Sequence, residues 1–423
     1  MSYLILIIVS KIAMSSILIL LMCKICGALF SYIGQPRVVG EITAGIILGP
    51  SILPSIFNID ISYLFTGEVK QWLQILSNVG IGIYMFSMGL KVNSKPLSHN
   101  FKKDSISLAL FGLVPALLLG SIVGIITYSS LANERINLYV FSFFIAIALS
   151  ITAFPVLSRI VDEATLTNTY LGRIVLVAAS IEDCIAWVLM ATLTIIINFY
   201  NYGQVLIVVL GLILIAFLLK VPYKYIFNIM DNLVESKKKT PKYYIIIVLF
   251  AVLSTVAITD YIGLHAAIGG FLVGLIAPRS SLFVKEIKVS IIDRNNKFLM
   301  PLFFAYTGIN THLNIIFSTK ELIYSFLLIT SVGVFGKFLG CILFSRINKY
   351  SWKESIVISI LMNTRGTMLM LMATVGLKMN IITLEAFSIL VAVAVFTTII
   401  ALPIIKICTK IKSEKESLLE ITS

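Results

Sequence analysis

The chain has 423 residues, of which 59% are hydrophobic and 13% charged, with a formal net charge of +13. That apolar content excludes a soluble globular domain, and apolar runs of about 20 residues, the length a helix needs to cross a bilayer, recur along the chain. The runs are continuous rather than alternating, which excludes a transmembrane barrel.

About 13 spans are expected at that run length. They centre near Leu18, Ile46, Gly82, Leu117, Ala148, Ile181, Leu212, Leu253, Phe271, Phe304, Val332, Met368 and Ala394. The first follows Met1 almost directly and has no A-x-A-like cleavage site, so it reads as a retained helix. It contains Cys23-x-x-Cys26, a zinc-like spacing, but no second pair or histidine accompanies it, and small core residues are the better reading. Lys11 and Lys24 lie toward opposite ends of this span and can snorkel to the interfaces.

The placement of the charges sets the topology. With the N-terminus outside, 25 basic residues fall on inward loops and the tail, and 4 (Lys70, Arg135, Lys320 and Lys378) on outward loops. The positive-inside rule then gives a multi-pass cell-membrane protein with its N-terminus outside and its C-terminus in the cytoplasm. The basic balance is topology together with contact with anionic membrane lipid. No nucleic-acid partner is implied.

The fifth span contains "ALSITAFPVLSRI". Pro155 removes a backbone donor there and clashes with the preceding turn, and Thr152 can serve freed backbone groups or an ion. The sixth span carries "VAASIEDCIAW", with Glu182 and Asp183 side by side at its centre. A single carboxylate at bilayer depth costs about 2.5–3.5 kcal/mol on the lenient insertion scales, so two in succession need a reason. The basic loop at Lys237, Lys238 and Lys239 follows the seventh span near the chain midpoint. Two six-span halves around an odd helix have opposite orientations, the inverted repeat of many secondary transporters, whose sites lie on broken helices.

Matching breaks are then expected in the fifth and twelfth spans. The twelfth reads "ILMNTRGTMLML", where Asn363, Thr364, Arg365 and Gly366 interrupt an apolar run. Irregular backbone in a membrane is tolerated only where it is buried or lines a cavity. Between them, the eleventh span contains "SVGVFGKFLGCILF", with Lys337 flanked by Gly336 and Gly340, which permit close helix approach. The membrane interior thus holds Glu182, Asp183, Lys337 and Arg365, and intramembrane ionisable groups mark ion paths. Neighbouring residues on a helix do not face the same way, so one carboxylate can pair with Lys337 while the other faces a cavity. Protonation and cation binding can then compete.

Six stretches in order resemble the monovalent cation:proton antiporters: "YIGQPRVVGEITAGIILGPS", "LSITAFPVLSRI", "LGRIVLVAASIEDCIAWVL", "GLHAAIGGFLVGLIAP", "PLFFAYTGIN" and "GKFLG". The second branch of that family, with the Kef, NapA and CHX-type exchangers, is the most similar. The resemblance implies an all-α polytopic fold of about 13 helices, an NhaA-like inverted repeat with two crossed broken helices. It also implies a homodimer exchanging Na⁺ or K⁺ for H⁺ by an elevator-like movement, with no cofactor and no enzymatic activity. By motif, Asp183 matches the ion- and proton-binding aspartate, a transient ligand for Na⁺ or K⁺. Glu182 matches the preceding position, one methylene longer than the family's usual residue, and Lys337 the core lysine that pairs with it. Thr152 and Pro155 match the first broken helix, Asn363, Thr364 and Gly366 the second, and Arg365 is a further charge partner. His265, in "GLHAAIGG", could sense pH but reads better as a structural histidine.

The implied division of the chain places the dimerisation domain in 1–101 and 241–318. The core transport domain falls in 102–200 and 319–411, a linker helix and loop in 201–240, and a short cytoplasmic tail in 412–423. The rivals are a same-fold carrier of an organic substrate, a cation channel and an intramembrane enzyme. The first would not need the Glu182, Asp183 and Lys337 constellation. No selectivity-filter motif and no H-E-x-x-H or nucleophile–histidine set supports the other two.

Overall fold

A computed structural model of the chain describes residues 2–53, 62–92, 99–166, 169–198, 210–211, 213–215, 217–237, 241–262, 266–278 and 280–421. Among these the protein is all-α, with one isolated bridge between Ala132 and Ile382. The main helices in chain order are α1 (Ser2–Tyr32), α2 (Arg37–Leu48), α3 (Gly67–Val92), α4 (His99–Leu131), α5 (Leu138–Ser150), α6 (Phe154–Glu163), α7 (Tyr170–Asn198), α8 (Lys224–Lys237) and α9 (Lys242–Tyr261). They continue with α10 (Ala266–Ile276), α11 (Asp293–Ile309), α12 (Lys320–Ile347), α13 (Trp352–Met362), α14 (Gly366–Lys378) and α15 (Leu384–Ile421). Eight helices among the described residues are long and apolar enough to cross a membrane, and Leu138–Ser150, Ala267–Ile276 and Met368–Lys378 are apolar but shorter. The expected seventh span is centred on Leu212, which lies outside the described residues, as do His265, Lys238 and Lys239.

Local chemistry sets several of the helix starts. The Asn137 side chain accepts from the Tyr139 amide at 2.9 Å before α5, and Thr319 Oγ1 accepts from the Leu322 amide at 3.3 Å before α12. Ser351 and Glu354 form a reciprocal capping box at the start of α13. Each satisfies amides that the first helical turn leaves without partners. The last helix runs on through the polar tail to Ile421.

The described chain forms two compact units: 1–24, 53–96 and 194–309, and 25–52, 97–193 and 310–423. In the first, α3 and α10 touch backbone to backbone. A Cβ on Gly270 would strike the Gly82 carbonyl oxygen, and one on Gly274 the Phe86 carbonyl oxygen. Without a hydrophobic drive between helices in lipid, such small-residue contacts hold a bundle together. Gly269 does the same against Thr255 of α9, where an added Cβ would stand 2.6 Å from the carbonyl oxygen. Cys23 donates its thiol to the Pro301 carbonyl at 3.6 Å in this unit.

The second unit is built around α4. Against α5, a Cβ at Gly120 would stand 2.8 Å from Ala146 Cα and one at Gly124 2.5 Å from Ser142 Cα. Against α12, a Cβ at Gly336 would stand 3.1 Å from Ala116 Cα, and one at Gly340 would strike the Phe111 carbonyl oxygen. Lys337 therefore leaves α12 beside a glycine where two helix backbones meet, and it is fully buried.

Candidate functional site

Two helix interruptions organise the second unit. Helix α5 stops at Ser150 and α6 starts at Phe154, leaving Ile151, Thr152 and Ala153 non-helical. The break thus precedes Pro155 instead of falling on it. Pro155 lies in the first turn of α6, where a helix has no use for the missing amide hydrogen. Helix α13 stops at Met362 and α14 starts at Gly366, with Asn363, Thr364 and Arg365 between them. Gly366 takes φ +23°, and a Cβ there would stand 2.6 Å from Val156 Cγ2 in the first turn of α6. A side chain is excluded by both strain and contact.

The two interruptions are bonded to each other. The Ala153 amide donates to the Thr364 carbonyl at 2.7 Å, and Thr152 Oγ1 donates to the Met362 carbonyl at 2.5 Å. Thr364 Oγ1 donates back to the Leu361 carbonyl at 2.8 Å, and Asn363 Nδ2 donates to the Val334 carbonyl at 3.2 Å. Backbone groups that lose helical partners in an apolar interior need others, and these bonds supply some of them.

The charged side chains complete the set. Lys337 Nζ donates to Glu182 Oε2 at 2.5 Å and also to the Ser150 carbonyl. Arg365 donates from Nη1 to the Leu149 carbonyl and from Nη2 to the Gly333 carbonyl. Leu149 and Ser150 are the last residues of α5, whose terminal carbonyls lack helical partners and carry the negative end of the helix dipole. Both buried cations sit at that end. Glu182 Oε2 accepts in turn from the Thr152 amide at 3.1 Å, just ahead of the N-terminus of α6. Lys337 and Arg365 thus meet the negative end of α5, and Glu182 meets an amide ahead of the positive end of α6.

Glu182, Lys337, Thr152, Thr364 and Arg365 are wholly buried, Asp183 is 3% exposed and Asn363 8%. Among the described residues, Glu182 Oε1, Asp183 Oδ1, Asn363 Oδ1 and Arg365 Nε are buried without a hydrogen-bond partner. Unpartnered buried carboxylate oxygens are uncommon and call for an explanation. Carboxylate, carbonyl and hydroxyl oxygens are the donors a hard cation takes, and no cluster of three His, Cys, Asp or Glu side chains occurs among the described residues. Chemically, the arrangement has one ion-paired carboxylate beside one carboxylate with a free oxygen.

Sequence reading names the side chains here but misses the backbone acceptors at Leu149, Ser150, Gly333 and Met362. It also misses Gly112 of α4, where a Cβ would stand 3.0 Å from Glu182 Oε1 and 3.2 Å from Cys341 Sγ. Carbonyls leave no mark in a sequence except through the break that frees them.

Known proteins supply the context for this site. The model of the family described as "Sodium/hydrogen exchanger, transmembrane" matches residues 17–410. The chain is 31% identical over 391 residues to the Na⁺/H⁺ antiporter NhaS4 of Synechocystis, covering 92% of this chain and 95% of that protein. It is 31% identical over 397 residues to K⁺/H⁺ antiporter 1 of Saccharomyces cerevisiae, covering 92% of this chain but only 45% of the yeast protein. In fold it matches the sodium proton antiporter MjNhaP1 from Methanocaldococcus jannaschii with a TM-score of 0.63. That match has 15% identity and covers 96% of this chain and 97% of that one.

Proposed function

The chain belongs to the sodium/hydrogen exchanger family of monovalent cation:proton antiporters, and on that premise we propose that it exchanges Na⁺ or K⁺ for H⁺ across the cell membrane. The observation that carries the reading is Asp183, whose Oδ1 is buried and unpartnered while its neighbour Glu182 is held by Lys337. One carboxylate is neutralised and the other is left to take either a proton or a cation. In this proposal Thr152 joins Asp183 in serving the ion, as the sequence motif implies. Relatives named for sodium and for potassium exchange both align, so both cations stay in the reading.

The finer mechanism in this proposal is elevator-like. The moving core in this proposal is the transport domain of residues 102–200 and 319–411, which holds Glu182, Asp183, Lys337 and Arg365. Residues 1–101 and 241–318 form the homodimer face, with the linker in 201–240. About 13 spans, arranged as an inverted repeat whose broken helices cross, put the N-terminus outside and the C-terminus in the cytoplasm. The bonds between Thr152 and Met362 and between Ala153 and Thr364 support two half-helix pairs that meet at one point.

The test is proton flux in proteoliposomes of the full chain. With a pH dye in the lumen, a pulse of NaCl or KCl should move protons, and choline chloride should not. Proton movement that ignores both cations would overturn the reading.

A further inference from the structure

We propose that Gly112 of α4 is a positioning residue for the exchange site: its missing side chain is the space that lets a glutamate, not only an aspartate, reach Lys337. This rests on the antiport reading above and adds a residue to it. Glu182 is wholly buried, and its carboxylate is fixed from one side by Lys337 Nζ at 2.5 Å and the Thr152 amide at 3.1 Å, both on Oε2. The other oxygen, Oε1, has no hydrogen-bond partner and faces the bare α-carbon of Gly112. A Cβ there would stand 3.0 Å from Oε1, 3.2 Å from Cys341 Sγ and 3.8 Å from Lys337 Cε. One added carbon would thus touch both members of the ion pair and the thiol packed beside them.

Helix packing does not account for this glycine. The other α4 glycines, Gly120 and Gly124, exclude a side chain because the α5 backbone lies against them. At Gly112 the nearest atoms belong to side chains, and the nearest of all is a carboxylate oxygen. An apolar methyl pressed on an unpartnered carboxylate oxygen either moves the carboxylate off Lys337 and Thr152 or removes what polar access Oε1 has. Both disturb the group that leaves Asp183 unpaired. Shortening residue 182 by one methylene withdraws the carboxylate from α4, so the two positions should be coupled in a definite sense.

The experiment compares Gly112→Ala, Glu182→Asp and the double variant of the full chain, with Gly112→Ala/Cys341→Ala as the packing control. Cation-driven proton flux in proteoliposomes and thermal unfolding in detergent are both read. Gly112→Ala should lower flux about tenfold, the size of coupling expected between touching residues. Glu182→Asp should lower flux when made in the wild type and raise it when made in the Gly112→Ala variant. The unfolding midpoint should follow the same pattern, which keeps the test decisive if Gly112→Ala is too unstable to reconstitute. Equal effects of Glu182→Asp in both backgrounds, or rescue by Cys341→Ala in its place, would overturn the proposal and leave Gly112 a packing residue. Wild-type flux that Asp183→Asn removes shows the antiport reading standing whatever happens at Gly112. If the wild type moves neither cation, that reading fails while the unfolding data still judge the Gly112 coupling.

Discussion

Lys337 takes Glu182 and leaves Asp183: its Nζ lies 2.5 Å from Glu182 Oε2, while Asp183 Oδ1 is buried without a partner. Consecutive residues on a helix point about 100° apart, so one lysine cannot serve both carboxylates from the same side. Asp183→Asn should therefore abolish cation-dependent proton flux while leaving expression and folded yield near wild type. The amide is nearly isosteric and removes no ion pair, but it can neither carry the proton nor balance a bound cation. Wild-type exchange in Asp183→Asn proteoliposomes would falsify the proposed mechanism at its centre.

Arg365 closes the site by geometry more than by charge. Its two terminal nitrogens bond carbonyls on different helices, Leu149 of α5 and Gly333 of α12. Arg365→Met strands the Leu149 carbonyl at the end of α5, at about 1–3 kcal/mol, and takes a second bond from the Gly333 carbonyl inside α12. Removing a buried charge offsets part of the loss. Arg365→Lys keeps the charge, but a single ammonium cannot reproduce the fork, so it should fall between Met and wild type. Thermal unfolding in detergent ranks the three. Wild-type stability for Arg365→Lys would show that the charge and not the fork is what matters.

At Thr152 the hydroxyl and the amide do different work. The amide supports Glu182, and the hydroxyl ties the first interruption to the Met362 carbonyl at 2.5 Å. Thr152→Val keeps the shape and the amide but leaves that carbonyl unsatisfied, which should cost about 1–3 kcal/mol. Thr152→Ser retains the hydroxyl and should cost much less. If Thr152→Ser loses more stability than Thr152→Val, packing of the methyl and not the bond explains the residue.

The interruptions were legible because each carries residues a lipid-buried helix would not choose: Pro155 in one, and Asn363, Thr364, Arg365 and Gly366 in the other. Their exact register was not. A proline marks where a helix cannot continue, yet it also suits a helix start, and here the chain unwinds at Ile151–Ala153 and restarts at Phe154. Lys337, Glu182 and Arg365 stood out as charges that topology left unplaced. Their carbonyl partners did not, because a backbone acceptor has no residue type. Gly112 was hidden for another reason. Glycine is common in membrane helices, and only the carboxylate beside it sets this one apart.

Orientation can be read from one helix. Helix α12 runs from Lys320 to Ile347, and 28 residues at 1.5 Å each give about 42 Å, enough to cross hydrocarbon and both interfaces. Lys320 stands at its start and Lys349 just past its end. With all other cysteines replaced, Lys349→Cys should react with an impermeant maleimide only from the cytoplasmic side, and Lys320→Cys only from outside. Reaction of both from one face would break the topology that the 25-to-4 distribution of basic residues implies.

The ion pair itself permits the sharpest test. Glu182 and Lys337 are both fully buried, and Lys337 also donates to the Ser150 carbonyl while Glu182 accepts from the Thr152 amide. Removing one partner of such a pair typically costs about 3–5 kcal/mol, because the other charge is left in a medium that cannot solvate it. Glu182→Gln should thus destabilise the protein by stranding the Lys337 ammonium, and Lys337→Gln by leaving the carboxylate with the Thr152 amide alone. The double variant Glu182→Gln/Lys337→Gln strands neither, and two amides can bond each other and the same backbone groups. Its loss should be well below the sum of the single losses, a coupling in the range of about 0.5–3 kcal/mol seen for contacting residues. Unfolding midpoints in detergent for the four proteins decide it. Simple addition would mean that each residue is held by its backbone partner and that the 2.5 Å contact between them contributes no net stability.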